Sequence, residues 1–184
     1  NADRMWHYPE GIDNYAPIWS HHGIRVLSGP TPLWLDARGK RFPVPLFPGF
    51  DGLGALEHIT KHGDDHSWFL LNKRVIGKEF ALSGQEQNPD LTGKSIRGVL
   101  KRGRGTLTPV QKFINAGKDF VTADTLPELV SKMNAITQKN LVSLETVTRE
   151  AEARDRDLDN KYGKDLQIAA IRSARGYIGD RLIR

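Results

Sequence analysis

His58, His62 and His66 recur at spacings of four residues, and histidines at i and i+4 on a helix can offer ring nitrogens to one metal ion. Gly63-Asp64-Asp65 interrupts any helix before His66, and no glutamate follows His58 as the metalloprotease motif requires. The group reads instead as a helix end, where a cationic histidine favours the C-terminal dipole, and no metal site is expected. His21-His22 follows Trp19-Ser20 and could exchange protons near neutrality. With no visible partner it reads as a surface pair. No serine stands in a Gly-x-Ser-x-Gly elbow and no Gly-x-x-x-x-Gly-Lys-Ser/Thr loop is present, which removes nucleophilic hydrolysis on that turn and P-loop nucleotide hydrolysis. Gly103 and Gly105 form a Gly-x-Gly without the preceding strand or third glycine of a dinucleotide fingerprint. The chain has no cysteine, so thiolate chemistry, iron–sulfur ligation, disulfides and sulfur-bound zinc are excluded.

What remains is surface that could meet an apolar molecule. Residues 43–50, Pro-Val-Pro-Leu-Phe-Pro-Gly-Phe, hold three prolines in eight positions and can be neither a central strand nor a helix interior. Leu46, Phe47 and Phe50 therefore stand on an apolar loop, which either touches a substrate or missing domain or folds back onto its own core. Trp6, Trp19, Trp34 and Trp68 could line a pocket for a flat substrate, but tryptophan is more often core.

The elements that must position this surface are few strands and many helices. A short helix is expected between Asp3 and Gly11, ended before the loop at Tyr15-Ala16-Pro17. Ile24-Arg25-Val26-Leu27 alternates like a strand. Leu33-Trp34-Leu35-Asp36 and Arg41-Phe42 read as a hairpin turning at Gly39. Residues 53–62 are helix-like, 67–71 read as a buried strand, and 74–82 as another helix. Residues 94–101 and 109–116 read as short helices and 119–122 as a strand. Thr125-Leu126-Pro127-Glu128 has capping-box spacing, so a helix should run to about Thr137. Leu144, Val147 and Ala151 mark a further helix that gives way near Asp159-Asn160. This order predicts an α+β fold, with a small mixed or antiparallel sheet, helices packed around it and a helix-rich C-terminal half.

The 184 residues, 38% hydrophobic, suffice for one core. Net charge is +5, from 27 Lys+Arg and 22 Asp+Glu, but acids are mixed through the bases. The local cluster Lys101-Arg102-Gly103-Arg104, beside Lys94 and Arg97, has no interleaved aromatic residue to stack on bases. It reads as a solvated loop, and neither nucleic acid nor a membrane is expected as a partner. The opening Asn1-Ala2-Asp3-Arg4 precedes the first methionine and resembles a tag-cleavage scar. Residues 1–2 are thus read as a tag remnant and 3–184 as one domain, a fragment of a longer cytoplasmic chain.

Taken together, three stretches resemble the capping domain of the succinate dehydrogenase/fumarate reductase flavoprotein family, in its 3-ketosteroid dehydrogenase-like branch. The first is Gly29 through Trp34-Leu35-Asp36-Ala37-Arg38-Gly39-Lys40-Arg41-Phe42 with the apolar strand at 67–72. The second is Ala123-Asp124-Thr125-Leu126-Pro127-Glu128-Leu129 followed by Leu144-Glu145-Thr146-Val147, similar to the paired helices ending the cap. The third, fainter, is Asp157 and Arg175-Gly176-Tyr177-Ile178-Gly179-Asp180, similar to the segment returning to the flavin domain. Residues 84–118 match loosely.

The resemblance implies a two-part enzyme that takes hydrogen from adjacent substrate carbons and passes hydride to FAD. The FAD lies in a domain missing here, its Rossmann-like fingerprint is not in this chain, and the cap itself binds no cofactor. The Glu-x-x-Arg before the hairpin and the arginine after the Arg-Phe pair, which fumarate reductases carry, are replaced by Arg25, Ser28 and the Pro-rich loop. A small apolar, steroid-like substrate is thus expected rather than a dicarboxylate. Steroid-branch catalysis resembles tyrosine-assisted proton abstraction, for which Tyr8, Tyr15, Tyr162 and Tyr177 are available. The substrate-facing candidates are Leu46, Phe47, Phe50, Arg74 and Tyr177, with Arg74 suited to a carboxylate or carbonyl. The alternative is a freestanding interaction module that binds an acidic partner through the loop at 101–104.

Overall fold

The computed structural model describes residues 26–82, 93–102, 108–178 and 180. The expected N-terminal helix, His21-His22, Trp6, Trp19, Tyr8, Tyr15 and Gly103-Arg104 of the basic loop lie outside them. The described residues hold strands β1 (Val26–Leu27), β2 (Leu33–Asp36), β3 (Ser67–Leu70) and β4 (Ala81–Leu82). Their helices are α1 (Gly52–Lys61), α2 (Lys73–Glu79), α3 (Ile96–Arg102), α4 (Thr108–Ala116), α5 (Leu126–Thr137), α6 (Leu144–Asp159) and α7 (Leu166–Gly176). The α+β expectation holds, with two antiparallel two-stranded sheets, β1 with β4 and β2 with β3.

β2 shows how one short strand organises this part of the chain. Successive strand side chains point to opposite faces, and both faces of β2 are buried. Leu33 and Leu35 join Val130 and Met133 of α5 and Val147 of α6 in one core, while Trp34 joins Phe42 and Ala55 and Ile59 of α1 in another. Its partner β3 follows suit, with Trp68 opposite Leu35 and Phe69 opposite Trp34. The Trp34 ring stacks on Phe42 at 4.9 Å and meets Phe69 edge-on at 5.0 Å, and its indole N–H donates to Ser67 at 2.9 Å. A third core joins Ile76, Phe80, Val110 and Phe113.

The hairpin turn closes at Gly39, with Gly39 N–H on the Asp36 carbonyl and an isolated bridge between Leu35 and Arg41. Gly39 has φ +82, and a Cβ there would lie 2.9 Å from Val147. Both backbone conformation and packing therefore call for glycine. Thr125 caps α5 by accepting from the Glu128 amide, and Pro127 lies in the first turn. The Glu128 carboxylate pairs with Lys132 at 2.7 Å, which holds it below the usual carboxylate range.

Three readings need correction. The helix expected to Leu82 stops at Glu79, because Phe80 turns extended and buries itself while Ala81–Leu82 pairs with β1. Residues 119–122 form no strand: Phe120 packs edge-on against Phe80 at 5.6 Å and Val121 enters the β2 core, so the segment bridges two cores as irregular chain. The strand at 67–70 is half-buried rather than buried.

Helix α7 was not expected. Asp165 caps it by accepting from the Ile168 amide at 3.0 Å, and Gln167, Ile168 and Ile171 are buried. A capping Asp followed by isoleucines three apart is the signal that could have found it.

Candidate functional site

The sequence candidates fall on two adjoining surfaces. On the Pro-rich loop, Leu46 packs partly buried against the Trp34 core and Phe47 is buried, whereas Phe50 is 58% exposed and Val44 48%. The loop thus does both things foreseen for it. Its inner residues fold back, and Phe50 stacks on Phe47 at 5.0 Å with much of its surface open. Arg74 is exposed on α2, and Tyr177, 71% exposed, follows α7 beside the equally exposed Ile178. A Cβ at Gly49 would lie 3.3 Å from the Ser28 carbonyl, so the loop runs against the segment that leads to Thr31.

Thr31 is the centre of the second surface, and sequence reasoning missed it. Its N–H donates to Glu79 Oε2 at 2.8 Å and its hydroxyl donates to Glu79 Oε1. Arg175 donates to the same Glu79 oxygen, to Thr31 Oγ1 at 2.9 Å, and to Asp180 at 2.7 Å. Lys78 reaches Asp180 from the other side at 2.9 Å. Burial alone would raise the Asp180 carboxyl, but the Lys78 hydrogen bond and the Arg175 charge outweigh it and hold the group below its ordinary range.

Behind Thr31, Arg154 of α6 donates to the Thr31 carbonyl at 2.5 Å. Burial lowers the pKa of Arg154. Gln167, 1% exposed, donates to the carbonyls of Pro30 and Pro32 at 2.8 and 2.9 Å, and Arg41 ties Gln167 to Asp165. Residues from α2, α6 and α7 thus converge on the Pro30-Thr31-Pro32 backbone, whose buried polar groups would be costly unpaired. Gly29 permits this approach, since a Cβ there would lie 2.7 Å from Glu79 Oε2.

Between this network and α2 lies a cavity of about 270 Å³, lined by Thr31, Asn72, Arg74, Val75, Lys78 and Arg175. A larger, shallow cavity of about 480 Å³ at the end of α5 is lined by neutral residues, Asn134 and Gln138 among them.

The histidine series forms no metal centre. His62 donates from Nδ1 to the His58 carbonyl at 2.7 Å, and His66 Nδ1 lies 2.6 Å from Asp65. Among the described residues no group of three or more His, Cys, Asp or Glu could hold a metal ion. His58 lies against the Phe42 ring at 4.9 Å and the His62 ring at 4.5 Å. Burial first, and the His62 charge second, lower its pKa below 6.5.

Against known proteins, the family model described as FAD binding domain matches residues 1–182. The chain belongs to the FAD binding domain family. A KsdD-like steroid dehydrogenase of Mycobacterium tuberculosis is 60% identical over 187 residues, covering all of this chain and 33% of that protein. A KsdD-like steroid dehydrogenase of Mycolicibacterium smegmatis is 56% identical over 185 residues, covering all of this chain and 34% of that one. The chain spans about a third of the length of these curated relatives. No solved structure matches it.

A member of an FAD binding family invites the question whether these residues could cradle the flavin's pyrophosphate, for which a helix N-terminus with free amides is the usual device. Helices α1, α2, α5, α6 and α7 are each closed by their own side chain, from Asp51, Asn72, Thr125, Ser143 and Asp165 respectively. Two of those caps are carboxylates, which would repel a phosphate. At these five helix N-termini the described residues do not fit a flavin cradle. No helix among them is long and apolar enough to cross a membrane.

Proposed function

We propose that this chain is a single substrate-capping domain of a longer FAD-dependent dehydrogenase, cytoplasmic, acting on a CH–CH bond of an apolar, steroid-like substrate. One observation carries the reading: 60% identity, over all of this chain and 33% of the relative, to a protein named as a KsdD-like steroid dehydrogenase, in a chain five of whose described helices carry their own N-terminal caps. The flavin then belongs to the rest of the polypeptide, and this chain contributes a wall of the substrate site. Val44 and Phe50 offer that wall its apolar contact, and Phe47 and Leu46 anchor it. Closing an apolar wall over the substrate excludes water and fixes the reacting carbons.

Phe50→Ala in the longer polypeptide tests this. Losing the burial of a largely exposed Phe against substrate should raise KM for a steroid roughly tenfold, with the bound flavin's absorbance unchanged. An unchanged KM removes the loop from the substrate site.

A further inference from the structure

The cavity beside Thr31 is lined by three cations, Arg74, Lys78 and Arg175, and by no carboxylate. Lys78 and Arg175 are answered by Asp180, and Arg175 also by Glu79. Arg74 is exposed, and among the described residues no carboxylate pairs with it. Asn72 accepts the Val75 amide through its side-chain oxygen at 3.0 Å, which leaves its amide nitrogen as a donor. A surplus positive charge and a neutral donor thus both line a cavity whose other cations are already paired. At about 270 Å³ it lies below the roughly 300–1,000 Å³ that encloses a whole drug-sized ligand, so it suits a substituent rather than a ring system.

Its position relative to the apolar loop adds a second constraint. Gly49 of the loop approaches the Ser28 carbonyl, and three residues of chain from Ser28 to Thr31 span at most about 10 Å. One elongated apolar molecule lying along Phe50 could therefore place a substituent near Arg74.

We propose that this cavity is a subsite for a carboxylate carried by the substrate, received by the Arg74 guanidinium with Asn72 as a neutral donor. The inference rests on the steroid-like reading and refines its substrate class. The guanidinium fork matches a carboxylate bidentately and does not match an ester in the same way.

The test is calorimetric binding to the longer polypeptide of a steroid bearing a side-chain carboxylate and of its methyl ester. The acid should bind about tenfold more tightly than the ester, and Arg74→Gln should bring the ratio close to one by weakening the acid far more than the ester. A ratio of one in the unaltered protein overturns the subsite, as does an Arg74→Gln variant that weakens acid and ester alike. The first result would follow if a carboxylate from the rest of the polypeptide already filled the cavity. If neither steroid binds, the steroid reading itself falls, and acetate titrated on the same protein reads the cavity alone. Saturable acetate binding lost in Arg74→Gln would support an anion site, and its absence would overturn it.

Discussion

Glu79→Ala is the sharpest perturbation of the network that holds the Thr31 segment. The Glu79 side chain is 7% exposed and Arg175 24%. The carboxylate accepts from the Thr31 amide, the Thr31 hydroxyl and the Arg175 guanidinium. Truncating a buried partner costs about 3–5 kcal/mol when the other charge is stranded. Here Arg175 keeps Asp180, so its share falls to about 2 kcal/mol, and the orphaned amide of Thr31, at about 1 kcal/mol, brings the total to about 3 kcal/mol. Native-state hydrogen exchange on the longer polypeptide should show the Thr31 amide exchanging about 100-fold faster, since each 1.4 kcal/mol is about tenfold. Gly29→Ala must push the same carboxylate aside, so combining it with Glu79→Ala should add less than about 0.5 kcal/mol beyond Glu79→Ala alone. An exchange rate for Thr31 that changes less than about threefold would refute the network's role.

Leu35→Ala, at a fully buried site on the middle of β2, should cost about 3 kcal/mol by urea unfolding, and a loss below about 1 kcal/mol would contradict the two-faced core. His58, whose pKa is lowered by burial first and the His62 charge second, binds a proton more readily unfolded than folded. Its contribution to stability is therefore full above pH 6.5 and is lost as pH falls from there toward the folded-state value. The urea midpoint should drop between about pH 7.5 and pH 5.5, less so in His58→Gln, and equal slopes would remove His58 from the account. Phe47→Ala should lower stability by about 3 kcal/mol while Phe50→Ala changes it by under about 1 kcal/mol, the split that separates the anchor of the loop from its contact surface.

The parts legible in the sequence were those set by neighbours along the chain. Thr125 and Pro127 announce α5, Gly39 announces the hairpin turn, and three prolines make residues 43–50 a loop whatever surrounds them. The family resemblance drew on such local patterns and was borne out by the comparisons. The fate of the loop's side chains was not legible, because whether Phe47 turns inward while Phe50 stays open depends on α1 and on the core behind it. Nor was the Thr31 network, whose partners lie 48 residues away at Glu79 and 144 at Arg175. An isolated threonine between prolines carries no local sign that two helices will converge on its backbone. The strand expected at 119–122 failed for a related reason, since two adjacent apolar residues do not reveal that Phe120 and Val121 serve two different cores.

On the proposed division, this chain caps the substrate and the rest of the polypeptide holds the flavin. An absorbance spectrum tests it most directly: the 184-residue chain and the longer polypeptide are each purified with excess FAD and then desalted. The account predicts a flavin spectrum in the longer polypeptide and none in the 184-residue chain. A flavin retained by the 184-residue chain, or a longer polypeptide that emerges colourless, would contradict it.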